Sequence, residues 1–178
     1  TKAIFSLRMM KHILDKRHLT LLYNSYLKSA LEYGCILFTN VAKCTMKPII
    51  TLQKKAIRLV CSAGYRDHTA PLFKKERILP FADLIFYNIC RFMFAYSNNS
   101  LPADFNNTWQ KNADIHQYRV RNANDFFIVN IDKQYLHNHP LFCFPKAWNS
   151  LPENLKSIGS QRSFARDLYS FLIDRIET

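Results

Sequence analysis

The chain has 178 residues, of which 48% are apolar and 14% aromatic, so it can bury a sizeable core and is not intrinsically disordered. Only three residues are glycine, which excludes architectures made of many tight turns and favours helices. The net charge is +12, and residues 1–80 carry +11 of it because 15 Lys and Arg face 4 Asp and Glu there; such a concentrated excess is typical of proteins that bind a polyanion.

Three helices are predicted in the first third of the chain. Apolar residues recur at helical spacing over 2–15 and again over 19–38, where Gly34 marks either a helix end or a close helix crossing. A third helix is predicted to begin after Thr45 as N-cap, to hold Pro48 in its first turn and to stop near Gly64. Short polar links between these helices predict a small bundle. The residues of the second helix predicted to face the core are Leu19, Leu22, Tyr23, Tyr26, Ala30 and Tyr33.

The rest of the chain predicts a helical domain. A short helix is expected around 70–77 with Thr69 as its cap, and a long one near 81–97, which is apolar on most sides and therefore central. The Asn, Pro and Ser residues of 98–113 predict a loop or hinge. A final amphipathic helix is predicted after Ser160, with its inward positions at Phe164, Leu168, Phe171, Leu172 and Ile176.

A small β element is predicted between the loop and the final helix. Residues 115–121 alternate apolar and polar side chains, and 126–131 is a β-prone run, so the two could form a hairpin. Trp148, in a short segment that ends at Pro152, is predicted to anchor the core beneath the final helix. The fold class is therefore mainly α, with a three-helix bundle followed by a helical domain that contains a small β-hairpin.

The third helix carries a row of cations. Lys47, Lys54 and Arg58 follow each other on one helix face, and Lys55 widens the row. Only two acidic residues occur in the first 63 positions, so this charge is not compensated locally. Unpaired like charges repel one another, and phosphates would neutralise them, although a solvated face without a ligand is the simpler alternative. The first helix and the residues after it add Arg8, Lys11, Lys16 and Arg17.

A second basic site is predicted in the β element. Tyr118, Arg119 and Arg121 could contact a base or a ribose 2′-hydroxyl, and a strand with outward Arg side chains is the alternative. The predicted nucleic-acid-binding residues are thus Lys47, Lys54, Lys55, Arg58, Arg8, Lys11, Arg119 and Arg121.

No catalytic, cofactor or metal site is predicted. Three glycines cannot form a phosphate-binding loop, and the acidic residues are not clustered as two-metal catalysis requires. His137, His139 and Cys143 could offer zinc ligands, but a fourth ligand is missing, and loop or packing roles are expected instead. The five cysteines form no disulfide framework and no signal peptide is visible, so an intracellular location in the nucleus or cytoplasm is expected.

Five segments occur in an order that identifies a resemblance: "YNSYLKSALEYGCILF", "LQKKAIRLVCSA", "HTAPLFKKERILPFADLIFYNICRFMFAY", "FPKAWNSLPENLKS" and "SFARDLYSFLID". They resemble the C-terminal region of reverse transcriptases from non-LTR retrotransposons of the jockey and CR1 type. The strongest pieces are "LEYG" at 31–34, "QKKAIR" at 53–58 and "WNSLP" at 148–152. Two departures are Phe38-Thr39, where the family usually has Trp-Gly, and Val120, where it typically has Thr.

The resemblance implies that this chain is a fragment without its own chemistry. In that family the fingers and palm, with the catalytic aspartates and their Mg²⁺, precede this region in the same polyprotein. Residues 1–64 would be the thumb, closing on the RNA/DNA template–primer duplex, and 65–178 the C-terminal extension. On this interpretation the chain is not an enzyme by itself and holds no cofactor.

Two other functional classes stay open. The chain could be a host-recruited helical protein-interaction module, whose basic face meets an acidic protein and has no nucleic-acid role. Alternatively, its cations could bind a membrane surface, which would need bulky apolar residues beside them on an exposed face. A membrane span is not predicted, because the most apolar run contains Asp83, Asn88 and Arg91.

Overall fold

The computed structural model describes residues 2–115, 123–128 and 138–176, and these residues are mainly α-helical, which confirms the predicted fold class. Among them, no helix combines the length and apolar character that crossing a bilayer would require. The helices are α1 (Lys2–Met10), α2 (Lys16–Leu22), α3 (Ser29–Glu32), α4 (Lys43–Val60), α5 (Ala70–Lys75), α6 (Phe81–Ser97), α7 (Asn112–Ile115), α8 (Pro140–Asn149), α9 (Glu153–Lys156) and α10 (Gln161–Asp174).

The first predicted helix ends early because a capping residue starts the next one. α1 stops at Met10, and Asp15 has extended backbone while its carboxylate accepts a hydrogen bond from the His18 amide at 2.9 Å. This is the N-cap arrangement that satisfies an otherwise unpaired helix amide. Ile4 and Leu7 are buried, whereas Met10, at the end of α1, is 40% exposed.

A π-helical segment, Tyr23–Lys28, separates α2 from α3 and changes which side chains face the core. Leu19 and Tyr23 are buried, as predicted, but Tyr26 is 62% exposed and Tyr33 88% exposed. Because a π turn closes i→i+5 hydrogen bonds, residues beyond it no longer share the face set by regular helical spacing. The inward predictions for Tyr26, Tyr33 and the exposed Ala30 are therefore wrong.

Gly34 ends the second predicted helix by its backbone conformation. Its φ of 62° is left-handed, the region that costs glycine little. A Cβ added there would meet only the Leu37 side chain, at 3.8 Å. The helix-end interpretation of Gly34 is therefore supported, and a close helix crossing is not what requires it.

The basic helix α4 begins three residues earlier than predicted. Ala42 occupies the N-cap position, so the predicted N-cap at Thr45 is wrong and Pro48 lies inside the helix. The helix buries Gln53, Ala56, Ile57 and Val60. α6, in contrast, spans the predicted residues, since the Pro80 carbonyl accepts the amide of Leu84 at 2.9 Å and opens the helix.

Among the described residues, the β element consists of an isolated antiparallel bridge between Lys111 and Phe126. The Phe127 amide donates to the Gln110 carbonyl at 2.8 Å, so the described start of the second predicted strand pairs with the loop before α7. Residues 116–121 and 129–131, which make up most of the predicted hairpin, lie outside the described residues.

Thr69 occupies the N-cap position of α5 as predicted, but without a side-chain capping hydrogen bond.

The chain divides into two compact units, Thr1–Ile85 with Tyr169–Thr178, and Phe86–Leu168. The predicted boundary after residue 64 concerns where the thumb-like segment ends, and it stays a prediction.

In the first unit, a buried glutamine links three segments. Gln53 Nε2 donates to the Tyr23 hydroxyl at 3.1 Å and to the Leu79 carbonyl at 2.9 Å, while its Oε1 accepts the Phe81 amide at 2.8 Å. The side chain is 2% exposed and every polar atom is satisfied, so it pins α4 to the entry of α6.

In the second unit, aromatic side chains form the core. The rings of Phe94 and Phe164 stack with centroids 4.4 Å apart, and Trp148 lies 5.8 Å from Phe164, which confirms its predicted anchoring role. Asn149, the next residue, uses its side chain to bond both the amide and the carbonyl of Phe126, at 3.0 and 2.7 Å. The "WNSLP" segment is therefore attached to the core in two ways, by the packed Trp148 ring and by the hydrogen bonds of the Asn149 side chain.

Tyr23 gives the first unit a testable alkaline sensitivity. Burial raises the pKa of Tyr23 to about 12. The folded state therefore holds the phenolic proton more tightly than the unfolded chain, whose tyrosine pKa is about 10. Tyr23 makes its full contribution to the free energy of unfolding below pH 10. We expect about 2–3 kcal/mol of that free energy to be lost as the pH rises from 10 to 12. Urea unfolding across this pH range should show a smaller loss of unfolding free energy in Tyr23→Phe than in the parent. Tyr33→Phe, which changes an exposed tyrosine, should behave as the parent does. Equal losses in the parent and both variants would contradict the assignment to Tyr23.

Candidate nucleic-acid interface

The outer face of α4 presents the predicted cations to solvent. Lys47, Lys54 and Lys55 are exposed, on the side opposite the buried residues of the helix. Lys47 and Lys55 also border a shallow depression of about 480 Å³ that extends along α4 from Cys44 to Lys55. A row of ammonium groups along one helix can follow a phosphate backbone without enclosing a small ligand.

These cations have no acidic partner within the described part of the chain. The ion pairs found there leave Lys47, Lys54, Lys55, Arg8 and Lys11 without a carboxylate within 4 Å. The positive field of this surface is therefore not cancelled locally, which favours association with an anion.

Lys16, which the sequence groups with the uncompensated cations near α4, has an acidic partner in the structure. Lys16 pairs with Glu76, with 2.5 Å between Nζ and Oε1. The hydrogen bond to Glu76 raises the pKa of Lys16, so its charge is held by a carboxylate that is far away in the sequence. Lys16 is thus removed from the uncompensated charge near α4.

Arg58 has a structural contact in addition to its charge. Its Nε and Nη2 both donate to the Asp67 carbonyl, at 3.0 and 2.8 Å, and the residue is half-buried. The Asp67 carboxylate in turn accepts the Gly64 amide at 2.7 Å. The acceptor is a backbone carbonyl, so Arg58 holds the loop after α4 through this contact and not through an ion pair.

Packing of α1 against α4 brings predicted cations from both helices together. Arg8, Lys55 and Arg58 border one groove of about 200 Å³. Lys11 is half-buried and does not line this groove. Sequence spacing alone cannot give this grouping, because it depends on how two helices cross.

The second predicted basic site is not described by the structure. Tyr118, Arg119 and Arg121 lie outside the described residues, so their role in binding stays a prediction.

Two features of this region are missing from the sequence-based predictions. Gln53, the first residue of "QKKAIR", is buried although the pattern assigns it no role, and Tyr65 is 80% exposed beside the groove of α1 and α4. An aromatic residue between Gly64 and Arg66 in a polar loop is a weak signal that could have marked Tyr65 as surface-exposed.

Cys61, Cys90 and His139 lie in surroundings that packing or helix capping explains. Burial raises the pKa of Cys61 to about 11, and it raises the pKa of the fully buried Cys90 as well, which favours the neutral thiol over the thiolate in both residues. His139 accepts the Leu141 amide at the start of α8, while His137 lies outside the described residues. Among residues that the structure does describe, no three His, Cys, Asp or Glu side chains are grouped as metal ligands.

Comparisons with protein-family models, with curated proteins and with solved structures give no match to this chain.

Proposed function

We propose that this chain is the C-terminal portion of a retrotransposon RNA-directed DNA polymerase and that it binds the template–primer duplex through the outer face of α4. The observation that carries the proposal is the row of exposed lysines, Lys47, Lys54 and Lys55, without an acidic partner among the described residues. Contacts of this kind position a duplex by its backbone and do not read its sequence.

The bond-making chemistry lies outside this role. Catalytic carboxylates and their Mg²⁺ would belong to the palm of the same polyprotein, in line with the resemblance of the ordered segments. Arg8 and Arg58 extend the α4 surface toward α1, so the contact would cover α1 as well as α4.

The test is the salt dependence of binding. We expect the chain to bind an RNA–DNA hybrid with a log–log salt slope steeper than about −3, since each phosphate contact contributes about 0.9 to the slope for B-DNA. Hybrids of unrelated sequence should bind alike in fluorescence anisotropy titrations between 50 and 300 mM salt. A flat salt response, or displacement by polyglutamate as readily as by nucleic acid, would contradict the proposal.

A second candidate function, a protein-interaction module, is favoured by one observation. Phe5 and Met9 lie four residues apart on α1, Ile13 lies in the turn that follows α1, and the three side chains are 65%, 55% and 77% exposed. An apolar strip of this kind is typical of a surface that packs against another protein. It would suit either the upstream fingers and palm or a separate host protein.

Replacing the apolar strip separates the two candidates. The Phe5→Ser, Met9→Ser, Ile13→Ser variant should keep the binding of the RNA–DNA hybrid if α4 is the interface. The protein-interaction candidate predicts that the parent binds no hybrid at physiological salt. Sedimentation with anionic liposomes, repeated with this variant, tests whether the strip binds a membrane surface instead.

A further inference from the structure

The groove between α1 and α4 combines an apolar floor with a charged rim. It is open along one side and has a volume of about 200 Å³. Pockets that enclose a whole small molecule are typically about 300–1,000 Å³, so this groove can hold only part of a ligand. The residues that line it are Ile4, Arg8, Lys55, Arg58, Leu59, Ala63 and Tyr65.

The loop that carries Tyr65 is fixed to the end of α4. The Ala63 amide donates to the Arg58 carbonyl at 2.9 Å, and the Arg58 guanidinium holds the Asp67 carbonyl from the other side. Tyr65 is nevertheless 80% exposed. Because the backbone on both sides of Tyr65 is fixed, stacking of a flat ligand on the ring restricts only the rotamers of one side chain.

We propose that this groove accepts one unpaired nucleotide at the edge of the duplex, with its base on the Tyr65 ring and its phosphate between Arg8 and Lys55. The inference rests on the proposed function, because Lys55 also belongs to the lysine row of α4. It goes further by naming single-stranded nucleic acid as the ligand of a separate subsite.

The chemistry of the groove favours a nucleotide over an acidic peptide. Bases inside a duplex are stacked on each other, whereas an unpaired base offers its face to an aromatic side chain. Cations beside an exposed ring therefore match a phosphate joined to a base. An acidic peptide would use the cations but would leave the Tyr65 ring without a partner.

The experiment compares two hybrids that differ by an overhang. The full chain is titrated with a blunt RNA–DNA hybrid and with the same hybrid extended by four unpaired nucleotides, one of them 2-aminopurine. We expect the overhang to tighten binding about ten-fold, within the range that stacking on one aromatic ring gives, and to change 2-aminopurine fluorescence. Tyr65→Ala should remove both effects, and Tyr65→Phe, which keeps the ring, should retain them.

Tyr33→Ala is the matched control, because Tyr33 is 88% exposed in the same unit and does not line the groove. If the parent binds both hybrids equally, or if Tyr33→Ala loses as much as Tyr65→Ala, the subsite is wrong and the duplex proposal stands. If the parent binds neither hybrid, both proposals fail. If polyglutamate displaces the overhang hybrid and the 2-aminopurine fluorescence does not change, the groove binds an acidic protein. That result would overturn the proposed nucleotide subsite.

Discussion

Charge reversal of the α4 row, by Lys47→Glu, Lys54→Glu and Lys55→Glu, is expected to reduce affinity for an RNA–DNA hybrid by two to three orders of magnitude at 0.1 M salt. Three lost phosphate contacts would remove about 2.7 from the log–log salt slope, which corresponds to about 500-fold at that salt concentration. The three side chains are exposed, and within the described residues they hold no intramolecular ion pair. The variant should therefore fold like the parent.

Arg58 is left unchanged in this variant for a structural reason. Its guanidinium holds the Asp67 carbonyl, so its replacement would disturb the loop after α4 as well as the charge. A loss of binding in an Arg58 variant could then come from either cause.

The control for charge reversal changes the net charge equally at another place. The Lys75→Glu, Lys146→Glu, Arg162→Glu variant also replaces three exposed cations, and none of them lies on α4. Anisotropy titrations from 50 to 300 mM salt should give this control nearly the parent slope. An equal loss in both variants would show that net charge, and not the α4 surface, drives binding; no loss in the α4 variant would contradict the site.

Replacement of Gln53 by leucine is expected to destabilise the first unit by about 3 kcal/mol. Leucine has a similar volume but cannot bond the Leu79 carbonyl, the Phe81 amide or the Tyr23 hydroxyl. A buried polar group without a partner costs about 1–3 kcal/mol, and the amide and the carbonyl are backbone groups that cannot turn toward water. The midpoint of urea unfolding, followed by circular dichroism at 222 nm, should fall accordingly.

Gln161→Leu is the matched control for Gln53, since Gln161 is exposed at the start of α10. A surface change of this kind should stay within about 0.5 kcal/mol of the parent. If Gln53→Leu unfolds at the parent's urea concentration, the hydrogen bonds around Gln53 do not hold α4 to the entry of α6. Binding of the hybrid by the residual folded protein should be unchanged, because the side chain does not reach the surface.

Local patterns predict the long elements well and the interrupted ones poorly. The 81–97 helix is predicted at its observed bounds because its apolar run and the preceding proline act within a few residues. The final helix buries Phe164, Leu168 and Leu172 as expected, while Phe171 is 37% exposed. The core-facing residues predicted after Tyr23 are wrong because a π-helical segment follows it. Such a segment depends on tertiary packing, which the spacing of apolar residues cannot predict.

For this protein the sequence by itself determined the mainly helical fold, the concentration of positive charge in the first 80 residues and the lysines that share one face of α4. These properties depend on composition and on spacing within a single helix. Only the tertiary structure decided that Lys16 pairs with Glu76, that Gln53 is buried in a hydrogen-bonded network and that Tyr65 lies beside Arg8. Each of these contacts joins residues from different segments, and their partners are chosen by how the helices pack.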